Sequence, residues 1–346
     1  MKRSVGSVLA AVVAVVAFAP QTAAGPISEA FERVKASVVV IRTTGVDLDQ
    51  GVGRELVTVG GLGSGVLIDR DGIILTAAHV VQTAETIEVE FADGEVVPGK
   101  VYSSEPNADI AVVKLERPPT GAVVAKLGDS DKVAVGDEIF IVGAPLGISY
   151  TLTVGHISAR RQANSMWGGL SQADLFQTDA AITTGNSGGP MFNLDGEVVG
   201  IVSSMISRSG SYEGLGFVVT SNMARVLVLE QRPFWSGLDG YALTGELARI
   251  FNLPQPLGIL VQRVTKGSPA SRLGLQPGTI QATLEGEPLI LGGDIILAVE
   301  GVALSDQDAS ERIRKFINAL TPGSNLHVTI LRGGERVELN AVPITP

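Results

Sequence analysis

The sequence predicts a mainly β protein of two domains, in which an all-β barrel or sandwich is followed by a smaller α+β domain. With 346 residues, the chain is long enough for about two domains. Its 42 glycines and its low aromatic content of 5% indicate many turns between short strands. Short runs rich in valine and isoleucine recur along the chain, and turn pairs such as Asp71-Gly72 and Asp93-Gly94 separate them.

The first 24 residues have the order of a secretory signal peptide. Lys2 and Arg3 precede an apolar run over residues 5–19, and small residues follow at 22–24. The run is shorter than the roughly 20 residues that a membrane-spanning helix needs. We therefore expect cleavage after Ala24 and a protein that is periplasmic or otherwise exported. The alternative is an uncleaved segment that anchors the protein to a membrane.

Residues 25–231 are predicted to form the first domain. A helix over residues 27–35 opens it, and a helix over residues 221–230 closes it. The predicted strands lie at residues 38–42, 64–69, 72–76, 86–91, 110–115, 138–142 and 198–203. Residues 232–238, which include Pro233 and Gly237, are predicted to be a linker.

Residues 239–346 are predicted to form the α+β domain. Its strands are expected at residues 258–264, 294–299, 325–332 and 335–342. Gly333-Gly334 predicts a hairpin between the last two strands. One amphipathic helix is expected before them, because four apolar residues recur at helical spacing. These are Ile313, Phe316, Ile317 and Leu320.

Charge and composition exclude several classes of function. The formal net charge is −10, and a chain of that charge repels phosphate backbones, so we expect no nucleic-acid partner. The sequence contains no cysteine, which excludes disulfides, thiol catalysis and cysteine-ligated metals. Its 3 histidines do not fall in a cluster with metal-ligand spacing, so no metal and no cofactor are predicted.

Three residues have the chemistry of a catalytic triad for acyl transfer. His79 follows an apolar strand, Asp109 precedes another, and Ser187 lies in a glycine-rich loop. A serine hydroxyl needs a base to take its proton, and histidine suits that task because its ordinary pKa is about 6.5. A carboxylate beside the histidine orients the ring and stabilises its charged form. Pairing would also offset the cost of placing Asp109 at the start of an apolar strand.

The glycines around the serine predict an oxyanion hole. The tetrahedral intermediate of acyl transfer carries a negative oxygen that needs hydrogen-bond donors. Glycine lets the backbone turn its N–H groups toward such an oxygen. We expect the N–H groups of Gly185 and Ser187 to be these donors.

The order His, Asp, Ser along the chain is that of chymotrypsin-like proteases. The segments Thr76-Ala77-Ala78-His79, Asp109-Ile110-Ala111 and Gly185-Asn186-Ser187-Gly188-Gly189 resemble the three signature segments of the HtrA (Do/Deg) family. The likeness spans most of residues 60–225. It implies a chymotrypsin-like double β-barrel and a serine endoprotease that cleaves unfolded or damaged polypeptides. It also implies a homo-oligomer, which in that family is a trimer.

The same resemblance suggests the residues that contact substrate. Ala181, six positions before the serine, falls at the base of the primary pocket. Because it is uncharged, we expect a small or medium apolar residue before the cut and no preference for Lys or Arg. Ser203, Ser204 and Met205 resemble the strand that pairs with the substrate backbone.

Regulation is expected to differ from that of digestive relatives. Those enzymes have an aspartate where this chain has Asn186, and the aspartate pairs with a new N-terminus after zymogen cleavage. Asparagine cannot form that ion pair, so we expect activation by ordering of loops. The candidate loops cover residues 158–173 and 204–214.

The C-terminal domain resembles the PDZ domain of HtrA proteases. The resemblance places a carboxylate-binding loop and a peptide-receiving strand at Leu257, Gly258, Ile259, Leu260 and Val261. Peptide C-termini are therefore the predicted partners of this domain. Residues 279–291 are an apparent insertion in the PDZ pattern. The alternative is a PDZ domain that only packs on the protease.

Other features are assigned no chemistry. His156 falls where the HtrA family usually has an apolar or small residue in a strand, and His327 alternates with apolar neighbours in a predicted strand. Both are interpreted as structural. The run Gly60-Gly61-Leu62-Gly63-Ser64-Gly65 is superficially similar to a nucleotide loop, but a strand rather than a helix follows it. Two other functions stay open for the protein. One is a chaperone or scaffold that holds polypeptide without cutting it, and the other is an esterase. An α/β-hydrolase is disfavoured, because the serine loop lacks its strand–turn–helix context.

Overall fold

The computed structural model shows two β-barrels followed by an α+β unit. It describes residues 25–48, 56–121, 123–162, 174–205, 213–284, 287–306, 308–321 and 323–342. The predicted fold class, a double β-barrel followed by an α+β domain, is confirmed.

The first barrel consists of six strands that close in the order β1-β2-β3-β6-β5-β4. Helix α1 (Pro26–Val34) precedes it, and helix α2 (Ala78–Val81) directly follows its third strand. Apolar residues alternate inward, as in β4, where Ile87 and Val89 are buried and Glu88 is exposed. The strands are β1 (Val38–Leu48), β2 (Leu56–Asp69), β3 (Ile73–Thr76), β4 (Thr86–Glu90), β5 (Val96–Glu105) and β6 (Ile110–Leu115).

The second barrel closes in the order β11-β8-β9-β10-β13-β12, because β12 pairs back to β11. A short strand, β7, pairs in parallel with β12. Its strands are β7 (Lys126–Leu127), β8 (Glu138–Gly143), β9 (Thr151–Gln162), β10 (Asp174–Thr178), β11 (Pro190–Phe192), β12 (Glu197–Met205) and β13 (Gly216–Thr220).

An apolar layer joins the two barrels. Phe140 and Phe192 stack with their ring centroids 5.2 Å apart, and both belong to a buried cluster that includes Val66 of the first barrel. The same cluster takes in α1 and helix α3 (Ser221–Ala224), which continues as a π-helix over Arg225–Glu230. This shared core fixes the barrels against each other, so that loops from both meet at their junction.

The C-terminal unit is a sheet in the order β14-β15-β18-β20-β21, with β19 paired to β18. Its strands are β14 (Leu238–Thr244), β15 (Leu257–Val264), β16 (Ile280–Leu284), β17 (Glu287–Leu291), β18 (Ile295–Val299), β19 (Val302–Ala303), β20 (Leu326–Arg332) and β21 (Glu335–Ala341). Its helices are α4 (Gly245–Ile250), α5 (Pro269–Leu273) and α6 (Ala309–Asn318).

The insertion predicted at residues 279–291 forms a hairpin of its own. Strands β16 and β17 pair only with each other in the described sheet topology. The side-chain oxygen of Gln262 accepts the N–H of Ile290 at 2.8 Å, which attaches the hairpin to the end of β15.

Polar contacts hold the C-terminal unit against the first barrel. The indole N–H of Trp235 donates to the carbonyl oxygen of Gln82 at 3.0 Å, and the Gln82 side chain donates to the carbonyl oxygen of Leu238 at 2.8 Å. Arg263 of β15 contacts both carboxylate oxygens of Asp47 at 3.0 Å each. Leu238, which was predicted to end a linker, is the first residue of β14.

Candidate active site

The first barrel brings His79 and Asp109 together. His79 is the second residue of α2, immediately after β3, and Asp109 immediately precedes β6. Because β3 and β6 pair antiparallel, with Thr76 opposite Ala111, the end of one strand lies beside the start of the other. Asp109 adopts a left-handed φ of 52°, a conformation in which Asp is more frequent than most residues.

The Asp109 carboxylate fixes the orientation of the His79 ring. Ring atom Nδ1 lies 2.9 Å from each carboxylate oxygen, and the backbone N–H of His79 donates to Oδ1 at 3.0 Å. An ionised carboxylate only accepts hydrogen bonds, so this contact assigns the proton to Nδ1 and leaves Nε2 as an acceptor. The side chain is 51% exposed, which leaves the ring open to a substrate.

Opposing effects act on the pKa of His79. Burial favours the neutral ring and lowers the pKa, whereas the hydrogen bond and the negative charge of Asp109 favour the charged ring and raise it. The contribution of Asp109 prevails, and the pKa lies above the ordinary value of 6.5. The ring is therefore a stronger base than an isolated histidine.

Ser187 comes from the second barrel, in the loop between β10 and β11. Backbone hydrogen bonds fix the loop, including Asn186 N–H to Thr183 O at 3.0 Å and Gly188 N–H to Val202 O at 2.7 Å. The Ser187 hydroxyl donates to the carbonyl oxygen of Ser203 at 3.4 Å. In the described residues this hydroxyl makes no hydrogen bond to His79.

Ser203 links the carboxylate to the serine loop. Its hydroxyl donates to Asp109 Oδ2 at 2.5 Å, and its carbonyl oxygen accepts from Ser187. From the sequence, Ser203 is expected only to bind substrate. The structure adds a second contact, which joins the first barrel to the second at the site.

Ser64 is a site residue that the sequence analysis missed. Its backbone N–H donates to the carbonyl oxygen of Ser187 at 2.8 Å, and its hydroxyl donates to the carbonyl oxygen of Gly185 at 2.7 Å. The hydroxyl also accepts the N–H of Ala144 at 3.0 Å. Ser64 is fully buried, and it fixes two carbonyl groups within the serine loop, those of Gly185 and Ser187. The sequence signal at Ser64, a hydroxyl residue two positions before the apolar pair Val66-Leu67, predicts burial but not these partners.

The loop geometry suits the predicted oxyanion hole. Gly185 has a φ of 102°, and a Cβ at this position would lie 2.2 Å from the carbonyl oxygen of Ala144, so only glycine fits. The N–H groups of Asn186, Gly188 and Gly189 all donate within the protein. Those of Gly185 and Ser187 are not engaged in any hydrogen bond of the described residues.

The remaining predicted substrate contacts lie around the same loop. Ala181 is exposed, and its carbonyl oxygen accepts from the Asn186 side chain at 3.5 Å. Ser204 and Met205 of β12 pair with β13 on one edge only, opposite Phe217 and Gly216. Beyond Ile201, where pairing with β11 ends, the other edge of β12 continues past Ser187 without a partner strand in the described sheet.

The structure corrects the expected location of the peptide-receiving strand. β15, which contains Leu257, Gly258, Ile259, Leu260 and Val261, pairs with β14 along one edge and with β18 along the other. A peptide cannot add beside it without displacing one of these strands. The edge strand at this end of the sheet is β14.

Other predicted features have no described role in the site. His156 donates its backbone N–H to Asp179 at 2.6 Å, and His327 donates its backbone N–H to Glu300 at 2.7 Å. The described residues contain no group of three or more His, Asp or Glu side chains placed to hold a metal. Residues 1–24, 163–173 and 206–212, which hold the signal prediction and most of the predicted regulatory loops, lie outside the described part.

Two parts of the chain match described protein families. Residues 63–201 match a trypsin-like peptidase domain, and residues 214–342 match a PDZ domain. The structure of the HtrA-type protease AlgW with a tripeptide is 32% identical, with a TM-score of 0.51, over 90% of this chain and 94% of that chain. The chain belongs to the HtrA family. A second AlgW structure, with a decapeptide, is 29% identical, with a TM-score of 0.51, over 90% of this chain and 96% of that one.

Curated relatives in the HtrA family carry protease names. A probable periplasmic serine endoprotease, DegP-like, of Pseudomonas fulva (strain 12-X) is 35% identical over 80% of this chain and 54% of that protein. The periplasmic pH-dependent serine endoprotease DegQ of Escherichia coli (strain K12) is 33% identical over 81% of this chain and 58% of that protein. The chain thus spans a little over half the length of these relatives.

The matches agree with the architecture of this HtrA-family chain, with one difference at a boundary. The PDZ match begins at residue 214, whereas the structure assigns β13 to the second barrel and starts the C-terminal sheet at Leu238. In the described residues, none of the helices is long and apolar enough to cross a bilayer.

Proposed function

We propose that this chain is an exported serine endoprotease that cleaves unfolded or damaged polypeptides with His79, Asp109 and Ser187. The observation that carries the proposal is the junction of the barrels. There, one carboxylate holds the His79 ring at 2.9 Å and is joined through Ser203 to the Ser187 loop. The periplasmic names of the relatives and the signal-like order of residues 1–24 support export.

The mechanism follows from the roles that this geometry permits. Ser187 attacks the scissile carbonyl while Nε2 of His79 takes its proton, and Asp109 stabilises the charged ring that results. The N–H groups of Gly185 and Ser187 stabilise the negative oxygen of the intermediate. His79 then protonates the leaving amine, and water releases the acyl group by the same steps.

The free edge of β12 supports unfolded chains as the substrate class. A substrate that pairs with Ser203, Ser204 and Met205 must present several residues of extended backbone. Folded proteins rarely expose such segments, because their backbone groups are already paired. The uncharged side chain of Ala181 favours a small or medium apolar residue before the cut.

A matched pair of substrates tests this function. One small protein is offered in its native form and in a reduced, alkylated, unfolded form. We expect the unfolded form to be cut on the order of 100-fold faster, since a stable native state exposes extended backbone only in a small open population. A fluorophosphonate probe should label Ser187. Binding of unfolded protein without cleavage or labelling would instead favour the chaperone alternative.

We also propose that the PDZ domain binds peptide C-termini along the outer edge of β14. A cavity of about 320 Å³ adjoins this strand and is lined by Leu238, Ile259, Ile313 and Ile317, with Glu105 of the first barrel on one side. It could take the last apolar side chain of a peptide whose backbone adds to β14. The alternative, a domain that only packs on the protease, predicts no such binding.

Peptide binding can be tested with a matched pair of variants on α6. A peptide with an apolar last residue and a free carboxylate should bind about tenfold more tightly than its amidated form, because hydrogen bonds to a charged group are the stronger ones. Ile313→Glu should abolish binding by placing a charge in the cavity. Phe316→Glu should preserve it, because Phe316 is 48% exposed and does not line the cavity. Isothermal calorimetry measures all four affinities, and equal binding of acid and amide would contradict the proposal.

A further inference from the structure

Exposed apolar side chains project from the turn that joins β8 to β9. Leu146 is 78% exposed and Ile148 is 67% exposed. Leu62 of β2 lies beside them, because a Cβ on Gly147 would be 3.8 Å from its Cδ2 atom. We refer to Leu62, Leu146 and Ile148 as the apolar lip.

The turn that carries the apolar lip is fixed by its own hydrogen bonds. The N–H of Leu146 donates to Thr184 O at 3.0 Å, and the N–H of Ile148 donates to Pro145 O at 2.9 Å. Leu146 has a left-handed φ of 54°, which is energetically costly for a leucine. Burial does not offset this cost, because the side chain points to solvent. Strain of this kind is typical of functional positions.

The apolar lip adjoins the first half of the serine loop. A Cβ on Gly185 would lie 2.2 Å from Ala144 O and 3.1 Å from Leu146 N, so the turn and the loop touch at that residue. The second half of the loop contacts β12 instead, through Gly188 N–H to Val202 O at 2.7 Å. Ser187 therefore lies between β12 and the apolar lip.

This arrangement assigns the two halves of a substrate to different surfaces. The half that becomes the acyl group pairs with β12 next to Ser187. The half that leaves must continue away from β12, over Gly185 and the turn of residues 144–148. We propose that the apolar lip is the subsite for an apolar side chain at the first or second position after the scissile bond. This inference rests on the proposed function, because it needs an acyl enzyme at Ser187.

Substrates that differ only on the leaving side test the proposal. Two internally quenched peptides share their residues before the cut and carry Leu-Leu or Ser-Ser after it. A p-nitroanilide with the same acyl half has no amino-acid side chain after the cut and reports on the reactivity of Ser187. For the native chain we expect kcat/KM to be about tenfold higher for Leu-Leu than for Ser-Ser, from partial burial of one leucine.

The variants are chosen to keep the backbone of the turn. Leu146→Asn should bring the Leu-Leu to Ser-Ser ratio close to one, and asparagine tolerates the left-handed φ. Ile148→Ser should lower the same ratio. Val135→Ser is the control, because Val135 is 63% exposed but lies before the opposite end of β8, and it should leave the ratio unchanged.

Two results would overturn the subsite. One is an unchanged ratio in both Leu146→Asn and Ile148→Ser. The other is an equal loss of turnover for the anilide and both peptides in Leu146→Asn, which would mean that the turn only supports the serine loop. A native chain that fails to hydrolyse the anilide through Ser187 would instead refute the proposed protease function.

Discussion

Replacing Ser187 by alanine is expected to lower kcat by about 10⁶ while leaving the fold intact. The variant loses the only group in the proposed mechanism that can form the acyl enzyme, so the proton acceptor and the oxyanion donors have no reaction to assist. The substitution removes the hydrogen bond from the Ser187 hydroxyl to Ser203, but the contacts made by backbone groups and by Ser64 still hold the loop. Burst kinetics and steady-state cleavage of an unfolded substrate measure the loss.

Ser305→Ala provides the matched control for this prediction. Ser305 is exposed in the C-terminal unit, and its hydroxyl should be dispensable. Both variants should show the circular dichroism spectrum and the melting temperature of the native chain. Retention of more than a few per cent of activity in purified Ser187→Ala would show that another residue is the nucleophile.

Replacing Asp109 by asparagine is expected to lower kcat by about 10⁴ and to shift its pH dependence. In the native chain the acid limb of kcat/KM should lie above pH 6.5, because the His79 pKa is raised and the protonated ring cannot act as a base. Without the carboxylate, burial alone acts on the ring and lowers the pKa. The acid limb of the variant should therefore move below about 6.5.

Asp179→Asn is the control for the pH profile. Asp179 also faces a histidine, since its carboxylate lies 3.9 Å from Nδ1 of His156, but it lies outside the proposed triad. Its removal should leave the acid limb where it is. An acid limb that stays in place in Asp109→Asn would mean that Asp109 does not set the basicity of His79.

Stability should change with pH in the direction opposite to activity. The raised pKa means that the folded state binds the His79 proton more tightly than the unfolded state. The contribution of the His79–Asp109 pair to the free energy of unfolding is fully present below the unfolded pKa of about 6.5. It is lost as the pH rises through the raised, folded pKa, where activity reaches its maximum.

Sequence reasoning worked best where one local signal was sufficient. Uninterrupted apolar runs predicted strands such as β6 and β8. It failed for β5, where Pro98-Gly99 interrupts the pattern, and for β9, which contains Gly155. A Cβ at Gly155 would lie 2.4 Å from the backbone N of Ala180, so close packing rather than a turn accounts for that glycine.

Residues of the candidate site could be predicted where their sequence neighbours identify them, but not where their role depends on contacts between distant parts of the chain. His79, Asp109 and Ser187 could be selected because each has a distinctive neighbourhood in the sequence. Ser64 could not be assigned, since its partners Gly185 and Ala144 are distant in the chain. The peptide-receiving strand was misplaced for a related reason. A sequence can predict that residues 257–264 form a strand, but it does not reveal which strands lie on either side.

Gln82 connects the C-terminal domain to the chain within one helical turn of His79, the proposed general base. It follows α2, three positions after His79, and accepts from Ser104 at 2.7 Å as well as contacting Trp235 and Leu238. His79 therefore lies on a helix whose C-terminal end is hydrogen-bonded, through Gln82, to Ser104 of β5. Gln82 is also hydrogen-bonded to Trp235 and to Leu238, the first residue of β14. A shift of β14 by the length of a hydrogen bond would break the Gln82 contact to Leu238 unless the Gln82 side chain rotated or this helix tilted. Tilting changes the direction of Nε2 relative to Ser187. In the proposed mechanism, the alignment of the proton transfer therefore depends on contacts that reach the C-terminal domain.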